Sequence, residues 1–485
     1  MVILDIIDAL FLAILSIECF RVLQACSYKP QRGYIKLFVS RHFAFLAIVQ
    51  VLCLLCYLLL QRWCVTICLA IASALTFFVK RKCPLKFTKR IVRMLFVQVA
   101  VLFCASYFVC SAYFVILLPV VVLISWLICL PIDLLVAKYY IKKAVQKLSQ
   151  SGITVIAITG SYGKTCTKDM LATLLDGAIA PSGSCNTPLG IASFINKTDL
   201  STGKYLVLEF GARKVGDIGE LCSLYKPKYG IITGICEQHL ATFATLGNIV
   251  KTKGELVEYL PEDGICVFNS ADELVNNLFQ LGRCKKLSTN RQSVINVSTT
   301  LQGVTFELAH GKQNYTVNLP QISSYILDTF LMCFEMCNAL GQNVDVTLKN
   351  CAKVKQTPHR MQITHNGSFY IVDDAYNANI KGITSCCETL SKFANYKIVL
   401  TQGIIEGGSK QKQFNEQCGK MLGSTFDVVI AIGKYSKAIA NGAKQGKCQV
   451  VVAKNLLEGT KLLRNYTKNN CIVVFQNDLP DVVSL

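Results

Sequence analysis

A short glycine-rich stretch, TGSYGKT, ends at Thr165 and has the composition of a phosphate-binding loop. The common form of that loop, G-x-x-x-x-G-K-[ST], would need glycine where the chain has Ile158, so its two glycines are Gly160 and Gly163. A polyphosphate at this turn would meet backbone N–H groups and the positive end of the following helix dipole. Lys164 would reach the terminal phosphates and Thr165 would bind magnesium, so the stretch predicts a nucleotide site.

Three more polar residues follow predicted strands or lie on predicted helices farther along the chain. Glu209 ends the apolar stretch YLVLE, and an acidic residue at the carboxyl end of a parallel strand lies at the ligand-binding edge of the sheet. His239 lies just past the next strand, and Lys253 lies on the helix predicted over 248–260. Taken alone, Glu209 is interpreted as a surface salt bridge and His239 as a hydrogen-bonded core residue, so their function depends on the neighbouring motifs.

The chain from about residue 150 onward alternates strands and helices with Gly-rich junctions, which is typical of parallel α/β domains. ITVIAIT predicts a buried strand that leads into the glycine loop, and CTKDMLATLLDG predicts a helix that ends at Gly177. We therefore expect an α/β fold with a central P-loop ATPase-type domain on a parallel sheet, followed by a C-terminal Rossmann-like domain.

Long uncharged runs fill the chain up to about residue 135 and predict an α-helical membrane region before the α/β part. A helix needs about 20 residues to cross the hydrocarbon of a bilayer, so the run at 94–132 holds two crossings and each other run holds one. Asp5, Asp8 and Glu18 interrupt the first run, which leaves an interfacial helix open as the alternative there. The five predicted crossings lie at 2–20, 43–60, 63–79 and, as a pair, at 94–132.

Basic residues cluster in alternate loops of this region. By the positive-inside rule these loops are cytoplasmic, which predicts an outer N-terminus, a multi-pass protein of the cytoplasmic membrane, and catalytic domains in the cytoplasm. The first 150 residues hold 17 Lys and Arg against 4 Asp and Glu, a net charge of +13 out of the chain's +20. A lipid bilayer as partner therefore explains most of the basic charge, and nucleic acid is not expected as a partner.

The chain has 24 cysteines, and their placement fits a reducing compartment. Many lie in apolar stretches, where free cysteine behaves as a small hydrophobic residue. The lone CxxC, CLLC at 53–56, lies inside a predicted crossing, and the sequence has no Cys/His set with zinc spacing. We interpret the cysteines as packing residues.

Four successive stretches belong together: TGSYGKTCTK, CNTPLGIASFI, LEFGARKVGDIGELCSLYKPKYGIITGICEQHLATFATLGNIVKTKGEL and PHRMQITHNGSFYIVDDAYNAN. They resemble the successive motifs of the Mur ligases, most closely those of the MurF-type branch, which adds D-alanyl-D-alanine to UDP-N-acetylmuramoyl-tripeptide. The resemblance covers roughly residues 150 to 485, and the short TG-x-x-GKT loop is the family's form. The apolar N-terminal region has no counterpart in the family's usual soluble members.

The resemblance implies an ATP-dependent ligase that forms a C–N bond. Mur ligases phosphorylate a substrate carboxylate with ATP, and an amine then attacks the acyl phosphate; the tetrahedral intermediate collapses to the amide and phosphate. The implied cofactors are ATP and Mg2+. The implied partners are a UDP-linked muropeptide and D-alanyl-D-alanine or a similar amine, together with other proteins of cell-wall synthesis.

The resemblance also assigns site residues. Arg360 would clamp the transferring γ-phosphate because a guanidinium fork matches phosphate geometry, although the pair HR taken alone is interpreted as two surface residues. Lys253 matches the lysine that the family carbamylates, and a carbamate would supply the anion that a second magnesium needs. The implied nucleotide-binding residues are Gly160, Ser161, Tyr162, Gly163, Lys164, Thr165, Cys166, Asn186, Arg360, Asp374, Tyr376 and Asn377. The implied metal ligands are Thr165, Glu209, His239 and Lys253. The implied catalytic residues are Lys164, His239, Lys253 and Arg360.

One segment departs from the family pattern. The family has a glycine-x-histidine-asparagine motif that contacts the nucleotide, and by spacing it falls on ISSYILDTF at 322–330, which lacks it. Nucleotide affinity or base preference is therefore open. The C-terminal part keeps predicted strands in KIVLTQGIIEGG and DVVIAIG.

The predicted domains are a membrane region of about five helices at 1–148, a central ATP-binding domain at 149–355 and a C-terminal ligase domain at 356–485. Three functions stand as hypotheses. The first is a membrane-anchored ligase of cell-wall precursors, which the run DDAYNAN favours. The second is a related acid–amino-acid ligase that makes another polymer, such as γ-linked polyglutamate or a variant wall peptide. The third is a scaffold that has lost catalysis, which the altered 322–330 segment favours and the retained Lys164, Glu209, His239 and Lys253 oppose.

Overall fold

The computed structural model describes residues 2–26, 28–32, 34–77, 85–237, 240–376, 378–405 and 407–477. The described chain forms two compact units, which divide between Tyr139 and Tyr140. The first unit is helical, and the second holds every strand among the described residues.

The helices of the first unit pack around two buried apolar clusters, one with Leu12, Leu46 and Leu69 at its centre and another around Phe20 and Met94. Many large apolar side chains on the outer faces of these helices are exposed. The helices are α1 (Val2–Leu15), α2 (Ile17–Ala25), α3 (Arg41–Leu59), α4 (Arg62–Phe77), α5 (Lys89–Phe108) and α6 (Leu118–Ser151), the last of which continues into the second unit.

The expectation of a multi-pass membrane protein with five crossings is wrong. Among the described residues only two helices, Arg41–Leu59 and Leu118–Ser151, are long and apolar enough to cross a membrane by length and composition. The first predicted crossing breaks into α1 and α2, and α1 has 14 residues and a length of roughly 21 Å, below the roughly 30 Å of bilayer hydrocarbon. The predicted localisation as a multi-pass protein of the cytoplasmic membrane is therefore also wrong, and a lipid bilayer is not supported as a partner.

Polar contacts within the first unit pair charges that hydropathy counts as isolated. The carboxylates of Asp5 and Asp8 lie 2.7 and 2.6 Å from the guanidinium of Arg62, which stands at the start of α4. The three charges interrupting or flanking the apolar runs are therefore paired inside the unit, and hydropathy alone did not reveal that pairing.

A six-stranded parallel sheet forms the first layer of the second unit, in the order β2-β3-β1-β4-β5-β6. The central strand pairs with β3 on one side and β4 on the other, and it is buried from Val155 to Thr159, which is why its sequence TVIAIT is continuously apolar apart from its ends. The strands are β1 (Thr154–Thr159), β2 (Ala178–Ile179), β3 (Tyr205–Glu209), β4 (Tyr229–Ile232), β5 (Ile265–Phe268) and β6 (Lys285–Ser288).

Helices and a small antiparallel sheet enclose the central sheet. The small sheet has the order β7-β8-β9 and shares an apolar cluster with one face of the central sheet, in which Phe306 and Phe330 pack beside Ile158. Its strands are β7 (Val294–Thr300), β8 (Gly303–His310) and β9 (Gln313–Leu319). The helices are α7 (Lys164–Leu174), α8 (Pro188–Lys197), α9 (Asp217–Tyr225), α10 (Leu240–Phe243), α11 (Leu246–Tyr259), α12 (Glu273–Asn276), α13 (Ile326–Ala339) and α14 (Val344–Cys351).

A second six-stranded sheet follows, in the order β10-β11-β15-β12-β13-β14, with β10 antiparallel to an otherwise parallel sheet. Its strands are β10 (Gln362–His365), β11 (Tyr370–Asp374), β12 (Lys397–Thr401), β13 (Val428–Ile432), β14 (Gln449–Ala453) and β15 (Ile472–Gln476). Its helices are α15 (Ile380–Leu390), α16 (Gln411–Thr425), α17 (Ser436–Ala443) and α18 (Leu456–Leu463). The predicted α/β architecture, with a central parallel sheet and a C-terminal domain, is confirmed.

Candidate active site

The glycine loop joins β1 to α7 at the carboxyl edge of the central sheet. Gly160 and Gly163 have φ angles of 151° and 76°, which favour glycine. A β-carbon at Gly160 would collide with the hydroxyl of Thr233, and the amide of Ser161 donates to the carbonyl of Gly234 at 2.7 Å. The loop is therefore already shaped by the chain that follows β4, and it presents the N-terminus of α7 at the sheet edge.

Lys164 begins α7 and folds back over the loop. Its Nζ donates to the carbonyl of Gly160 at 2.7 Å. Burial lowers the pKa of Lys164, Arg360 adds to that effect, and Glu209 opposes it. The loop thus holds a half-buried cation whose charge is influenced by the carboxylate of Glu209 and by a second cation, Arg360, and a polyphosphate would neutralise these two cations.

Glu209 ends β3 and faces the first turn of α7. Its side chain is 2% exposed, and its Oε2 accepts a hydrogen bond from the hydroxyl of Thr165 at 3.0 Å. Its Oε1 accepts from the amide of Asn186 at 3.4 Å and the hydroxyl of Ser184 at 3.5 Å. A carboxylate, hydroxyls and an amide are oxygen ligands of the kind that Mg2+ takes, so these residues fit a magnesium ion. The described part of the chain has no group of three or more His, Cys, Asp and Glu placed to hold a metal.

Lys253 lies in the middle of α11 and is 3% exposed. Burial lowers its pKa to about 7, with the charge of Lys164 next in size, while Glu255, Asp217 and Cys236 oppose the shift. The carboxylate of Glu255, two residues along α11, accepts hydrogen bonds from the amides of Gly216 and Gly219 at 2.7 and 2.8 Å. The start of α9 is therefore fixed to the helix that carries Lys253.

Arg360 comes from the segment before β10, and its guanidinium carbon lies 3.9 Å from the ring centre of Tyr376. His359 and Met361 on either side have φ angles of 58° and 49°, a left-handed conformation that costs free energy in residues other than glycine. Asp374, at the end of β11, accepts a hydrogen bond from the amide of Met361 at 3.3 Å. Burial raises the pKa of Asp374 to about 7, and the nearby Arg360 opposes that rise.

An open cleft of about 650 Å³, counting space that opens to solvent, joins the glycine loop to this C-terminal segment. The rings of Tyr162 and Tyr325 lie 5.0 Å apart at one wall, and the hydroxyl of Tyr162 donates to Asp272 at 2.8 Å. The altered 322–330 segment contributes directly to the cleft. The cleft is lined by Tyr162, Gly163, Cys166, Gln321, Ser323, Tyr325, Ile326, Thr329, Arg360, Met361, Asp374, Asn379, Gly382 and Ser385.

The structure brings most of the residues predicted from sequence to one region. The loop residues 160–166, Asn186 and Glu209 lie at the carboxyl edge of the central sheet, and Arg360 and Asp374 line the same cleft as Tyr162, Gly163 and Cys166. Tyr376 is 47% exposed and contacts the site through Arg360. His239 and Asn377 lie outside the described residues.

Several side chains near this region were not predicted from the sequence: Lys168, Ser184, Asp272 and Tyr325. Lys168 lies one helical turn after Lys164, on the apolar face of the predicted helix. A lysine in that position is unusual and could have indicated a buried role. The other three come from loops or helix ends: Asp272 and Tyr325 contact Tyr162, and Ser184 contacts Glu209, only in the folded chain.

The fold and the cleft define a class of protein, a nucleotide-binding α/β enzyme in which a glycine loop and an arginine from a second sheet face each other. The chain matches the Mur ligase middle domain over residues 158–337 and the Mur ligase glutamate ligase domain over residues 359–476. The chain belongs to the Mur ligase family. Members of this family are ATP-dependent ligases that form C–N bonds and use ATP with Mg2+, so the predictions of enzyme class and cofactors are confirmed.

Relatives of the chain include the UDP-N-acetylmuramoyl-tripeptide–D-alanyl-D-alanine ligase of Escherichia coli, 27% identical over 307 residues, which cover 60% of this chain and 67% of the relative. Among solved structures, MurF from Acinetobacter baumannii aligns with a TM-score of 0.65 at 20% identity, over 70% of this chain and 77% of the other. MurF from Thermotoga maritima in complex with ADP aligns with a TM-score of 0.63 at 24% identity, over 72% and 82%. These solved structures share the fold of the chain.

Proposed function

We propose that this chain is a MurF-type ligase, which joins D-alanyl-D-alanine to the peptide carboxylate of a UDP-N-acetylmuramoyl-tripeptide in the synthesis of peptidoglycan precursors. The observation that carries the proposal is the cleft that Tyr162, Gly163 and Cys166 line together with Arg360 from the second sheet. The hydrogen-bonded pair Thr165–Glu209 begins at the same loop. The substrate named for the Escherichia coli relative supports the choice of amine and carboxylate. We also propose that the central ATP-binding domain covers residues 149–355 and the C-terminal ligase domain residues 356–485.

In the proposed reaction, a carboxylate oxygen of the tripeptide attacks the γ-phosphorus of ATP, and the bond to ADP breaks. The amine of D-alanyl-D-alanine then attacks the acyl carbon and loses a proton, and phosphate leaves with its bonding electrons. A free carboxylate is a poor electrophile, whereas an acyl phosphate has a good leaving group, so ATP makes the condensation favourable.

The residues of the chain divide this work between them. Backbone amides of the loop 160–165 and the N-terminus of α7 would hold the phosphates, with Lys164 placed to balance their charge. Thr165 and Glu209 would hold Mg2+, which when bound offsets the repulsion between the carboxylate and the γ-phosphate. Asn186 and Ser184 would keep Glu209 oriented, since both contact its Oε1.

The proposed site has further members. His239 and Asn377 keep the roles that the resemblance implies, as metal ligand and nucleotide contact. We propose that Ser161, Tyr162, Cys166, Asp374 and Tyr376 contact the nucleotide. Tyr162, Cys166 and Asp374 line the cleft, and Ser161 lies in the glycine loop.

Arg360 is expected to stabilise the transferring phosphoryl group. Arg360→Lys keeps the positive charge but removes the planar fork and its stacking on Tyr376, so kcat for ADP release should fall by roughly 10²-fold. A coupled assay of ADP release measures this. Arg291→Lys is the matched control, because the Arg291 side chain is 46% exposed and lies 3.8 Å from Asp328. An Arg360→Lys enzyme as fast as the wild type would remove Arg360 from the reaction.

A product assay tests the proposed function. The purified chain is incubated with ATP, Mg2+, UDP-N-acetylmuramoyl-tripeptide and either D-alanyl-D-alanine or L-glutamate, and the products are read by mass spectrometry. We expect the pentapeptide product with D-alanyl-D-alanine and none with glutamate. Product with glutamate alone would favour the related polymer ligase, and no product with either amine would favour the non-catalytic scaffold.

A further inference from the structure

Lys168 is a fully buried cation whose hydrogen bonds are all local to the active site. It lies on α7, one turn after Lys164, and its side chain is 0% exposed. Its Nζ donates to the carbonyls of Pro181 and Gly183, each at 2.6 Å, and it lies 2.9 Å from the carboxylate of Asp169. An ammonium has three protons to donate, so these three acceptors satisfy it completely.

The segment held by Lys168 carries two residues that contact Glu209. Ser184 follows Gly183 directly, and the amide of Asn186 donates to the hydroxyl of Ser184 at 3.1 Å as well as to Glu209. Both therefore stand within a few residues of the carbonyls that accept from Lys168. The segment has little regular structure of its own, since the chain between β2 and α8 forms bends rather than a helix or strand.

The other oxygen of Glu209 accepts from Thr165, which lies on α7 three residues before Lys168. Glu209 is thus contacted by α7 on one side and by the 181–187 segment on the other, and Lys168 links those two elements. Removing the ammonium would leave the buried carbonyl of Pro181, the partly buried carbonyl of Gly183 and the carboxylate of Asp169 without this donor, which favours movement of the segment away from α7.

We propose that Lys168 is a positioning residue for the magnesium–nucleotide site: it fixes the 181–187 segment against α7 so that Ser184 and Asn186 hold Glu209 beside Thr165. The inference rests on the proposed magnesium site at Thr165 and Glu209. Lys168 itself contacts neither the cleft nor the loop carbonyls, so it acts through these side chains. Groups that orient metal ligands in this way commonly change metal affinity more than nucleotide affinity.

The test measures ADP binding with and without magnesium. Thermal denaturation of the full chain is followed with ADP alone and with ADP over a range of Mg2+ concentrations. In Lys168→Met, the Mg2+ concentration for half of the magnesium-dependent rise in Tm should increase by roughly 10- to 100-fold, while the Tm rise from ADP alone persists. Lys168→Arg, which keeps charge and donors, should recover part of the affinity. Lys251→Met, an exposed lysine on α11, is the matched control and should behave as wild type.

Each outcome separates the inference from the function on which it rests. A lowered Tm in Lys168→Met with an unchanged magnesium midpoint would overturn the inference and make Lys168 a stability residue alone. If Lys168→Met does not fold, Asp169→Asn weakens one partner of the ammonium and should shift the midpoint in the same direction by a smaller factor; an unchanged midpoint there overturns the inference. If the Tm of the wild-type chain with ADP does not change with Mg2+, the proposed magnesium site itself is wrong.

Discussion

A Lys164→Ala variant is expected to lose ATP turnover by at least roughly 10³-fold while the chain stays folded. The Lys164 ammonium is the cation that folds over the glycine loop, donating to the carbonyl of Gly160 at 2.7 Å, and alanine leaves the phosphates without that charge. ADP release measured with saturating ATP and both substrates gives the result directly.

Folding should survive this substitution because the native state already disfavours the Lys164 charge. Burial lowers the pKa of Lys164, so its removal relieves a desolvation cost while it loses a hydrogen bond worth about 1 kcal/mol. The circular dichroism spectrum and the thermal midpoint should therefore remain close to those of the wild type. Lys312→Ala, in the exposed turn between β8 and β9, controls for the loss of a lysine elsewhere. Unchanged ADP release in Lys164→Ala would reject the ligase mechanism at this loop.

Lys253→Ala is expected to be nearly inactive, with the activity of Lys251→Ala, two residues away on an exposed face, unchanged. An ammonium beside Lys164 and magnesium would add positive charge where anionic ligands are needed, whereas a carbamate on Lys253 would supply a carboxylate-like anion. A small carboxylate or high chloride should partly restore Lys253→Ala by filling the anionic position. Full activity of Lys253→Ala without any addition would make the residue an ordinary buried lysine.

The pKa of Lys253 gives this prediction a direction with pH. Carbamate forms from the neutral amine and carbon dioxide, and burial together with Lys164 lowers the Lys253 pKa to about 7 against the opposing Glu255, Asp217 and Cys236. The neutral amine is therefore abundant above pH 7 and lost as pH falls below it. Activity should drop in bicarbonate-depleted buffer, most steeply on the acidic side, and return when bicarbonate is added. Activity that ignores bicarbonate across this pH range would contradict a carbamate.

The fold of the second unit could be predicted from sequence because its signals are local. TVIAIT is a continuous apolar strand, the two loop glycines lie where the backbone has positive φ, and Glu209 is the last residue of a strand. Parallel strands align their carboxyl ends at one edge of a sheet, so Glu209, at the end of one strand, is expected on the same edge as Thr165, which follows another. In the structure β1 and β3 are neighbours, and Ile158 pairs with Glu209 at their carboxyl ends.

The remaining features depend on contacts between residues distant in sequence. Asp5 pairs with Arg62, 57 residues away. Counting apolar residues in a sequence window cannot reveal such a contact between two helices of the first unit. Tyr325 reaches Tyr162 because α13 packs on α7, and the altered 322–330 segment therefore lines the cleft although it lacks the family's motif. The burial of Lys168 depends on the segment that carries Pro181 and Gly183, whose carbonyls accept hydrogen bonds from it only in the folded chain.

In the proposed reaction a carboxylate of the substrate becomes an acyl phosphate, and an isotope-transfer experiment can detect this step. UDP-N-acetylmuramoyl-tripeptide carrying 18O in both oxygens of the reacting carboxylate is converted with ATP, Mg2+ and D-alanyl-D-alanine, and the inorganic phosphate is analysed by mass spectrometry. We expect that each amide formed transfers one labelled oxygen to phosphate and keeps the other in the amide carbonyl. Amide formed with no 18O in the phosphate would contradict the acyl-phosphate mechanism.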